Sequence, residues 1–392
     1  MHILVTSVVD PVRSAHNRLH EFVKHLASKH DITILCIRDW WKAQQTDVSQ
    51  YYRGLEEIWS HVEIRYFSDR RISPIAQELF SVATLGRLLA KVGTVDVHFN
   101  YNTLVSGLYA AIWCRRNGVR TVYDLADDLP AMIRTSPQIP RPLRPFGGAF
   151  AQWMVYNNLA IATNATLTTG TLDLPKRFQE KFRIIPNGVD LNLFRKTEKS
   201  TLCEKLRLGN SFVIGYAGVL REWIDFEPVF QALASLRRKG LDIKFLVIGE
   251  EGGISRPKEL AARFGVSEDV IFAGTIPYSS VPEYISCMDV GLIPFRENKV
   301  AASALPLKLF EYMACEVPVI STRVPAIETV MQEAVLYVSG SQELAKTINN
   351  LRQNPQMGRK LGLEGRNIVE RCYDWKKRNN ELEELLNLVA RK

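Results

Sequence analysis

The feature that most constrains this chain is a rhythm. Short runs of β-branched residues are each followed by a longer stretch with apolar residues at helical spacing. In the first half the runs are Ile3–Val8, Ile32–Ile37, Val62–Tyr66, Val95–Phe99, Arg120–Tyr123, Ala165–Thr168 and Arg183–Ile185. Between them, Arg18–Ser28, Gln77–Val92, Val105–Arg116 and Phe150–Ala162 carry the helical period. Near-continuous apolar runs suit strands buried on both faces, and long helical connections join parallel neighbours. The pattern predicts an α/β fold with a mostly parallel sheet covered on both sides.

The rhythm then starts again. Asn187-Gly188-Val189-Asp190 is a turn signal, and residues 187–210 carry charge but little apolar pattern. Strands are expected at Phe212–Ala217, Ile243–Ile248, Val270–Phe272, Val290–Ile293, Val319–Ser321 and Val335–Val338. Helices are expected at Glu227–Lys239, Arg256–Phe264, Val281–Cys287, Pro306–Ala314, Gln342–Arg352, Met357–Cys372 and Trp375–Val389. Two such rounds in 392 residues fit two domains better than one core. The boundaries are placed at 1–190 and 191–374, with 375–392 as a closing helix. Ligands of open α/β sheets bind beyond the carboxyl ends of the strands. Two Rossmann-like domains facing across a cleft are therefore expected, with a nucleotide-bearing small molecule between them.

Composition removes other classes. With 46% hydrophobic and 23% charged residues, the chain is neither disordered nor fibrous. Six cysteines form no C-x-x-C pair and mostly sit among apolar residues, so they are expected to be buried free thiols in a reducing compartment. All seven histidines precede residue 100 and none pairs with a cysteine at ligand spacing, so no metal is expected. No apolar run approaches the roughly 20 residues that cross a bilayer. The sequence opens on a strand rather than a leader, so a cytoplasmic location is expected. The net charge is +8, with 22 Lys and Arg against 17 Asp and Glu in residues 1–190. That balance suits an anionic ligand or membrane surface. It is scattered, with no Arg-rich helix or zinc finger, so nucleic acid is not an expected partner.

Several segments can carry chemistry. Pro306-Leu307-Lys308-Leu309-Phe310-Glu311 opens a helix, with Pro306 suited to its first position. Free N–H groups at such a start can hold a diphosphate, and Glu311 on the next turn can accept from ribose hydroxyls. An ordinary helix with a solvated Lys308–Glu311 pair is the competing reading. Gly218 ends a strand where a phosphate can approach closely, and Arg221 follows as the nearest positive charge. The G-x-G-x-x-G fingerprint is absent. Gly249 before Glu250, and Gly274 with Thr275, also follow strands, where backbone groups can meet a nucleobase edge. Asp124, Asp127 and Asp128 crowd another strand end. Like charges there can raise a pKa and make a general base, although a helix cap or a divalent-ion site also fits the spacing. Arg134, Arg141 and Arg144 surround the loop Pro137–Pro145, with Phe146, Phe150, Trp153 and Met154 following. This reads either as a basic, aromatic surface for anionic headgroups or as a packed helix beneath a solvated loop.

The order of these motifs resembles family 4 of the retaining, nucleotide-sugar-dependent glycosyltransferases, whose two-domain architecture is called GT-B. The similarity runs through Ile184–Asp190 with Phe194, Gly215–Leu220, Phe245–Gly249, Phe272–Thr275, Asp289–Pro294 and Pro306–Ser321. It implies transfer of a sugar from a nucleotide diphosphate sugar, with no tightly bound cofactor and no required metal. It implies a sugar, lipid-linked, envelope-glycan or small-molecule acceptor on the first domain. Glu311 matches the second glutamate of the family's E-x7-E pattern, and Ser303 stands where the first would be. Val219 and the segment Glu222-Trp223-Ile224-Asp225 stand where the family often has Arg and Lys, leaving Arg221 and Lys308 as the positive charges. The family's acceptor-side histidine falls at Asp127, with Asp124 and Asp128 as neighbours in register. Val9–Ser14 replaces its glycine-rich loop, and the helix with Trp375 is similar to the one that crosses back to the first domain. The lack of a spanning run or leader, the excess positive charge of the acceptor-side half and the Arg134–Arg144 loop leading into Phe146, Phe150 and Trp153 predict a cytoplasmic enzyme that can lie against the inner membrane face.

Overall fold

The computed structural model describes residues 1–39, 62–136, 138–198, 201–221, 223–249 and 255–391. Pro137, Glu222 and Glu250, named above, lie outside the described residues. The chain divides into two compact units, Met1–Pro186 with Lys376–Lys392, and Asn187–Trp375.

Among the described residues the first unit holds seven parallel strands: β1 (His2–Ser7), β2 (Asp31–Cys36), β3 (Val62–Tyr66), β4 (Val97–Tyr101), β5 (Arg120–Leu125), β6 (Asn164–Leu167) and β7 (Phe182–Ile184). Their order is β3-β2-β1-β4-β5-β6-β7. Ile3 sits opposite both Ile32 and Val97, and Ile3, Leu4 and Val5 are buried, as a central strand of a doubly covered sheet requires. The helix Arg18–Ala27 begins with a capping box between Asn17 and His20. The helix Trp375–Arg391, which belongs to this unit from Lys376 onward, closes it.

Two helical expectations need correction here. Gln77–Val92 is not one helix but two, Pro74–Phe80 and Val82–Leu89. The break falls at buried Ser81, whose hydroxyl donates to the Glu78 carbonyl at 2.7 Å. The Glu78 carboxylate in turn accepts from the N–H groups of Leu104 and Ser106, at the start of the helix Val105–Arg116. Burial raises its pKa. The helix expected at Phe150–Ala162 begins earlier, at Arg144, with Pro145 in its first turn. The loop before it is shortened by a 3-10 turn at Arg141–Leu143 and by a helix at Leu129–Thr135, which the strand and helix rhythm did not show and only the cap reading of the acidic residues anticipated.

The second unit repeats the plan with β8 (Phe212–Ala217), β9 (Ile243–Ile248), β10 (Val270–Gly274), β11 (Val290–Ile293), β12 (Val319–Thr322) and β13 (Val335–Val338). They are parallel, in the order β10-β9-β8-β11-β12-β13. Alternation along β8 sends Val213 and Ala217 into one core and Ile214 and Tyr216 into the other. The helices include Glu227–Arg238, Val281–Ser286, Leu307–Ala314, Gly340–Gln353 and Pro355–Cys372.

The turn expected at Asn187–Asp190 is a strip packed against the unit's last residues. Val189 donates to the Tyr373 carbonyl at 2.8 Å, and Trp375 donates back to Val189 at 3.1 Å. The turn itself falls just after, where Asp190 takes the N–H of Asn192. Free thiols were expected throughout, but Cys203 and Cys287 are joined by a disulfide across 84 residues of sequence. The fold brings their Cα atoms to 5.8 Å, a proximity that spacing does not reveal. Cys36, Cys114 and Cys315 are free and buried, and Cys372 is free and exposed. Among the described residues no helix is long and apolar enough to cross a membrane, and no group of three or more His, Cys, Asp or Glu is placed to hold a metal ion.

Candidate functional site

In the second unit the strand order reverses direction between β8 and β11. Crossovers leave that point to opposite sides, which opens a crevice at the strands' carboxyl ends. Three glycines meet there. Gly218 donates to the Ile248 carbonyl at 2.8 Å, and Gly249 donates to the Gly274 carbonyl at 3.0 Å. Gly218 has φ +128°, and a Cβ on Gly249 would fall 2.2 Å from the Gly218 carbonyl oxygen. A side chain is blocked by backbone at Gly249 and strained by the positive φ at Gly218, so the strand ends pack as bare backbone. Thr275 follows, half-buried.

Lys308 lies over this backbone. Its Nζ donates to the Tyr216 hydroxyl at 3.0 Å and stands 4.3 Å from the centre of the same ring. Phe295 contributes a second aromatic face at 5.9 Å. Burial of the ammonium is the main cause that lowers its pKa to about 8, although the residue as a whole is only half-buried. Glu311, one turn on, works in the opposite direction, while Arg221 adds to the lowering. The Lys308–Glu311 pair is therefore not a solvated surface pair. Glu311 is itself buried and accepts from the Tyr278 hydroxyl at 2.9 Å.

The helix Leu307–Ala314 that carries both residues differs in one detail from expectation. Pro306 is extended, with ψ 144°, and caps the helix instead of being its first residue, so Leu307 opens it. The N–H groups of a first helical turn have no intrahelical acceptors. Ser303 ends the short helix Lys299–Ala302, and its hydroxyl turns back to the Val300 carbonyl at 3.4 Å.

Sequence reasoning did not find Tyr216, Tyr278 or Phe295. The signal for Tyr216 was its place two residues before Gly218 on one strand, which puts it under whatever Gly218 admits. Nothing local pointed to Tyr278 or Phe295. The loops after β8 and β11 also pair: Asp225 donates to the Pro294 carbonyl at 2.7 Å, and Arg296 donates to Trp223 at 2.7 Å. The Trp223–Asp225 segment thus braces the switch point.

In the first unit the three carboxylates do not act as one cluster. Asp124 is fully buried and takes Arg18 on both oxygens, Nε to Oδ2 at 3.0 Å and Nη2 to Oδ1 at 2.8 Å, with the Thr166 hydroxyl as a further donor. That carboxylate is committed to an ion pair, which corrects the reading of it as an available base. Asp128 caps the helix Leu129–Thr135 through the Ala131 N–H at 2.9 Å, as the cap reading had it. Asp127 is exposed, and Asn102 donates to its Oδ2 at 3.0 Å. No metal-ligating grouping links the three.

Residues 211–354 match the model of the family described as Glycosyl transferases group 1. That stretch lies within the second unit. All of Gly218, Arg221, Gly249, Gly274, Thr275, Ser303, Leu307, Lys308 and Glu311 fall inside it. Among curated proteins, the chain is similar to a GDP-mannose-dependent alpha-(1-6)-phosphatidylinositol monomannoside mannosyltransferase of Mycolicibacterium smegmatis. The identity is 27% over 211 residues, covering 52% of this chain and 55% of the relative. A 2-deoxystreptamine glucosyltransferase of Streptomyces kanamyceticus is 24% identical over 237 residues, covering 57% and 59%. The chain thus spans little more than half the length of these relatives. HepE of Anabaena, solved with UDP and glucose, superposes with a TM-score of 0.74 at 18% identity, covering 99% of each chain. Sucrose-phosphate synthase of Thermosynechococcus elongatus superposes at 0.75 with 18% identity, covering 99% and 98%. These likenesses establish the two-domain fold of Rossmann-like units over nearly the whole chain.

Proposed function

We propose that the chain is a retaining glycosyltransferase that moves a sugar from a nucleotide diphosphate sugar to a glycan, lipid-linked or small-molecule acceptor. The observation that carries this is Lys308. Its charge, held on Tyr216 and Phe295, stands over the bare backbone of Gly218, and buried Glu311 lies one turn away. In this reading the diphosphate lies against Gly218 and the helix start at Leu307, with Lys308 and Arg221 opposing its charge. Glu311 takes the ribose hydroxyls. Gly249, Gly274 and Thr275 border the base, and Ser303 borders the sugar. The relatives support the donor class: one is named for GDP-mannose, and HepE was solved with UDP and with UDP-glucose.

Retention follows when the acceptor attacks on the face the diphosphate leaves. The bond from the anomeric carbon to the diphosphate oxygen breaks, the bond to the acceptor oxygen forms, and the acceptor proton passes to the departing phosphate. Lys308 and Arg221 stabilise the charge that develops on that phosphate. Asp127, exposed just beyond β5 and held by Asn102, is the proposed group that orients the acceptor for that transfer, while Asp124 is taken up by Arg18 and Asp128 by its helix cap. The acceptor work is assigned to the first unit and donor binding to the second.

Ser303 favours one second reading, a relative that binds donor without turning it over, since its hydroxyl turns inward and supplies no carboxylate. A screen of UDP- and GDP-sugars, read by nucleotide release with and without soluble and lipid-linked acceptors, separates the two. Glu311→Gln is expected to weaken nucleotide binding by about tenfold or more, as loss of a charged hydrogen bond does. Calorimetry that finds unchanged affinity in Glu311→Gln overturns the site. Nucleotide binding without release from any donor favours the second reading.

A further inference from the structure

The helix Arg144–Ile161 is apolar on two faces, and the protein covers one of them. Gly148, Ala151, Met154, Val155 and Leu159 are buried. On the other side Phe146 is 74% exposed and Trp153 58%, with Phe150 and Leu143 also open to solvent. Positions 143, 146, 150 and 153 follow helical spacing, so they form one stripe. The Phe150 and Trp153 rings lie 6.0 Å apart. A helix that is apolar all round is ordinarily buried, and a contiguous exposed apolar patch marks a surface that meets something.

Charge identifies what it meets. Arg134, Arg141 and Arg144 are the only charged residues from Leu129 to Leu172. They line, with Pro145, an open cavity of about 340 Å³ at the head of the stripe. Arg134 is steadied by Gln152 at 3.0 Å, and Arg144 by the Ile139 carbonyl at 2.9 Å. A guanidinium has five N–H donors, so these bonds fix the arginines without consuming them. The surroundings thus offer positive charge and aromatic edges with no acidic side chain from this segment to repel an anion.

We propose that this face docks on an anionic phospholipid bilayer, with a headgroup phosphate in the arginine cavity and Leu143, Phe146, Phe150 and Trp153 in the interfacial layer. Aromatic side chains favour that layer, and arginines favour anionic headgroups. A second copy of the chain fits less well, because pairing brings the same arginines into one interface with no acid from this segment to offset them. Attachment of this kind is reversible and sensitive to salt, unlike a spanning helix. The inference does not depend on the transferase reading, since it rests on residues outside the proposed donor site.

Co-sedimentation of the full chain with phosphatidylcholine vesicles, and with vesicles mixed with phosphatidylglycerol, tests it. Binding is expected only to the mixture and falls as salt is raised. Phe146→Ser with Trp153→Ser is expected to lower the partition coefficient about tenfold or more, and Arg141→Ala with Arg144→Ala by on the order of tenfold or more. Both double variants are expected to keep the parent's melting temperature and nucleotide affinity. Equal binding to both vesicle types, or parental binding by the folded Phe146/Trp153 variant, overturns the proposal. A dimer in sedimentation velocity that this variant splits, with no vesicle binding, assigns the face to a second copy instead. Vesicle binding by a chain that binds no nucleotide sustains this inference while removing the transferase reading.

Discussion

Arg18 and Asp124, 106 residues apart in the chain, meet as a two-bond ion pair inside the first unit, and Arg18 also donates to the Ile185 carbonyl at 2.7 Å. One guanidinium therefore ties the first helix to the end of β5 and to the chain just after β7. Arg18→Met leaves a buried carboxylate without its partner, and removal of one member of such a pair costs about 3–5 kcal/mol. Urea denaturation of Arg18→Met and Asp124→Asn is expected to show losses of that order. Parental stability with lost turnover in Asp124→Asn returns that residue to a chemical role.

Lys308 makes nucleotide affinity depend on pH. Burial lowers its pKa to about 8, and the protonated form is the one that attracts a diphosphate. Affinity is expected to be full below that value and to fall as pH rises through it, by about tenfold between roughly pH 7 and pH 9 if the bound anion restores an ordinary lysine pKa. Binding in the upper part of this range takes up a proton, which titration calorimetry in buffers of different ionisation heat detects. Lys308→Met is expected to bind more weakly and to lose this dependence. A parallel fall in Lys308→Met assigns the effect to another group.

Gly218→Ala combines two costs. Its backbone sits at φ +128°, and the new Cβ would stand 2.9 Å from the Lys308 Nζ. The lysine can move but the backbone cannot, so a strain of about 1–3 kcal/mol is expected in the second unit. Melting temperature and nucleotide affinity are both expected to drop. Parental values for both would show that the strand end has room to adjust.

Glu383 fastens the closing helix to the first unit. It accepts from His25 at 2.7 Å, Lys29 at 2.7 Å and His30 at 3.1 Å. Burial of the carboxylate works the other way, but these three donors prevail and hold its pKa down to about 2 against an ordinary 4.5. A lowered carboxylate contributes stability that is complete above its unfolded pKa and is lost as pH falls from there through the folded value. Glu383→Gln is expected to cost about 2 kcal/mol near neutrality. The difference from the parent should shrink between about pH 4.5 and pH 2, read by denaturation at each pH. A difference that does not change across that range places the effect on something other than charge.

The sequence by itself determined the two rounds of parallel α/β structure. Strands such as Phe212–Ala217 and Val335–Val338 were legible because a strand buried on both faces must be apolar throughout, a local property. The residues at the strand ends, Gly218, Gly249 and Gly274, were legible for the same reason: backbone crowding selects glycine whatever lies opposite. Tertiary structure alone decided who meets whom. Nothing in Tyr123-Asp124 announces Arg18, and nothing near Cys203 announces Cys287, because pairing across long separations depends on where the sheet carries each segment. The stripe at Phe146, Phe150 and Trp153 shows the division in one helix. Its spacing was visible in the sequence, but exposure depends on which face the neighbouring helices cover, and apolar residues on both faces leave that choice open until the packing is known.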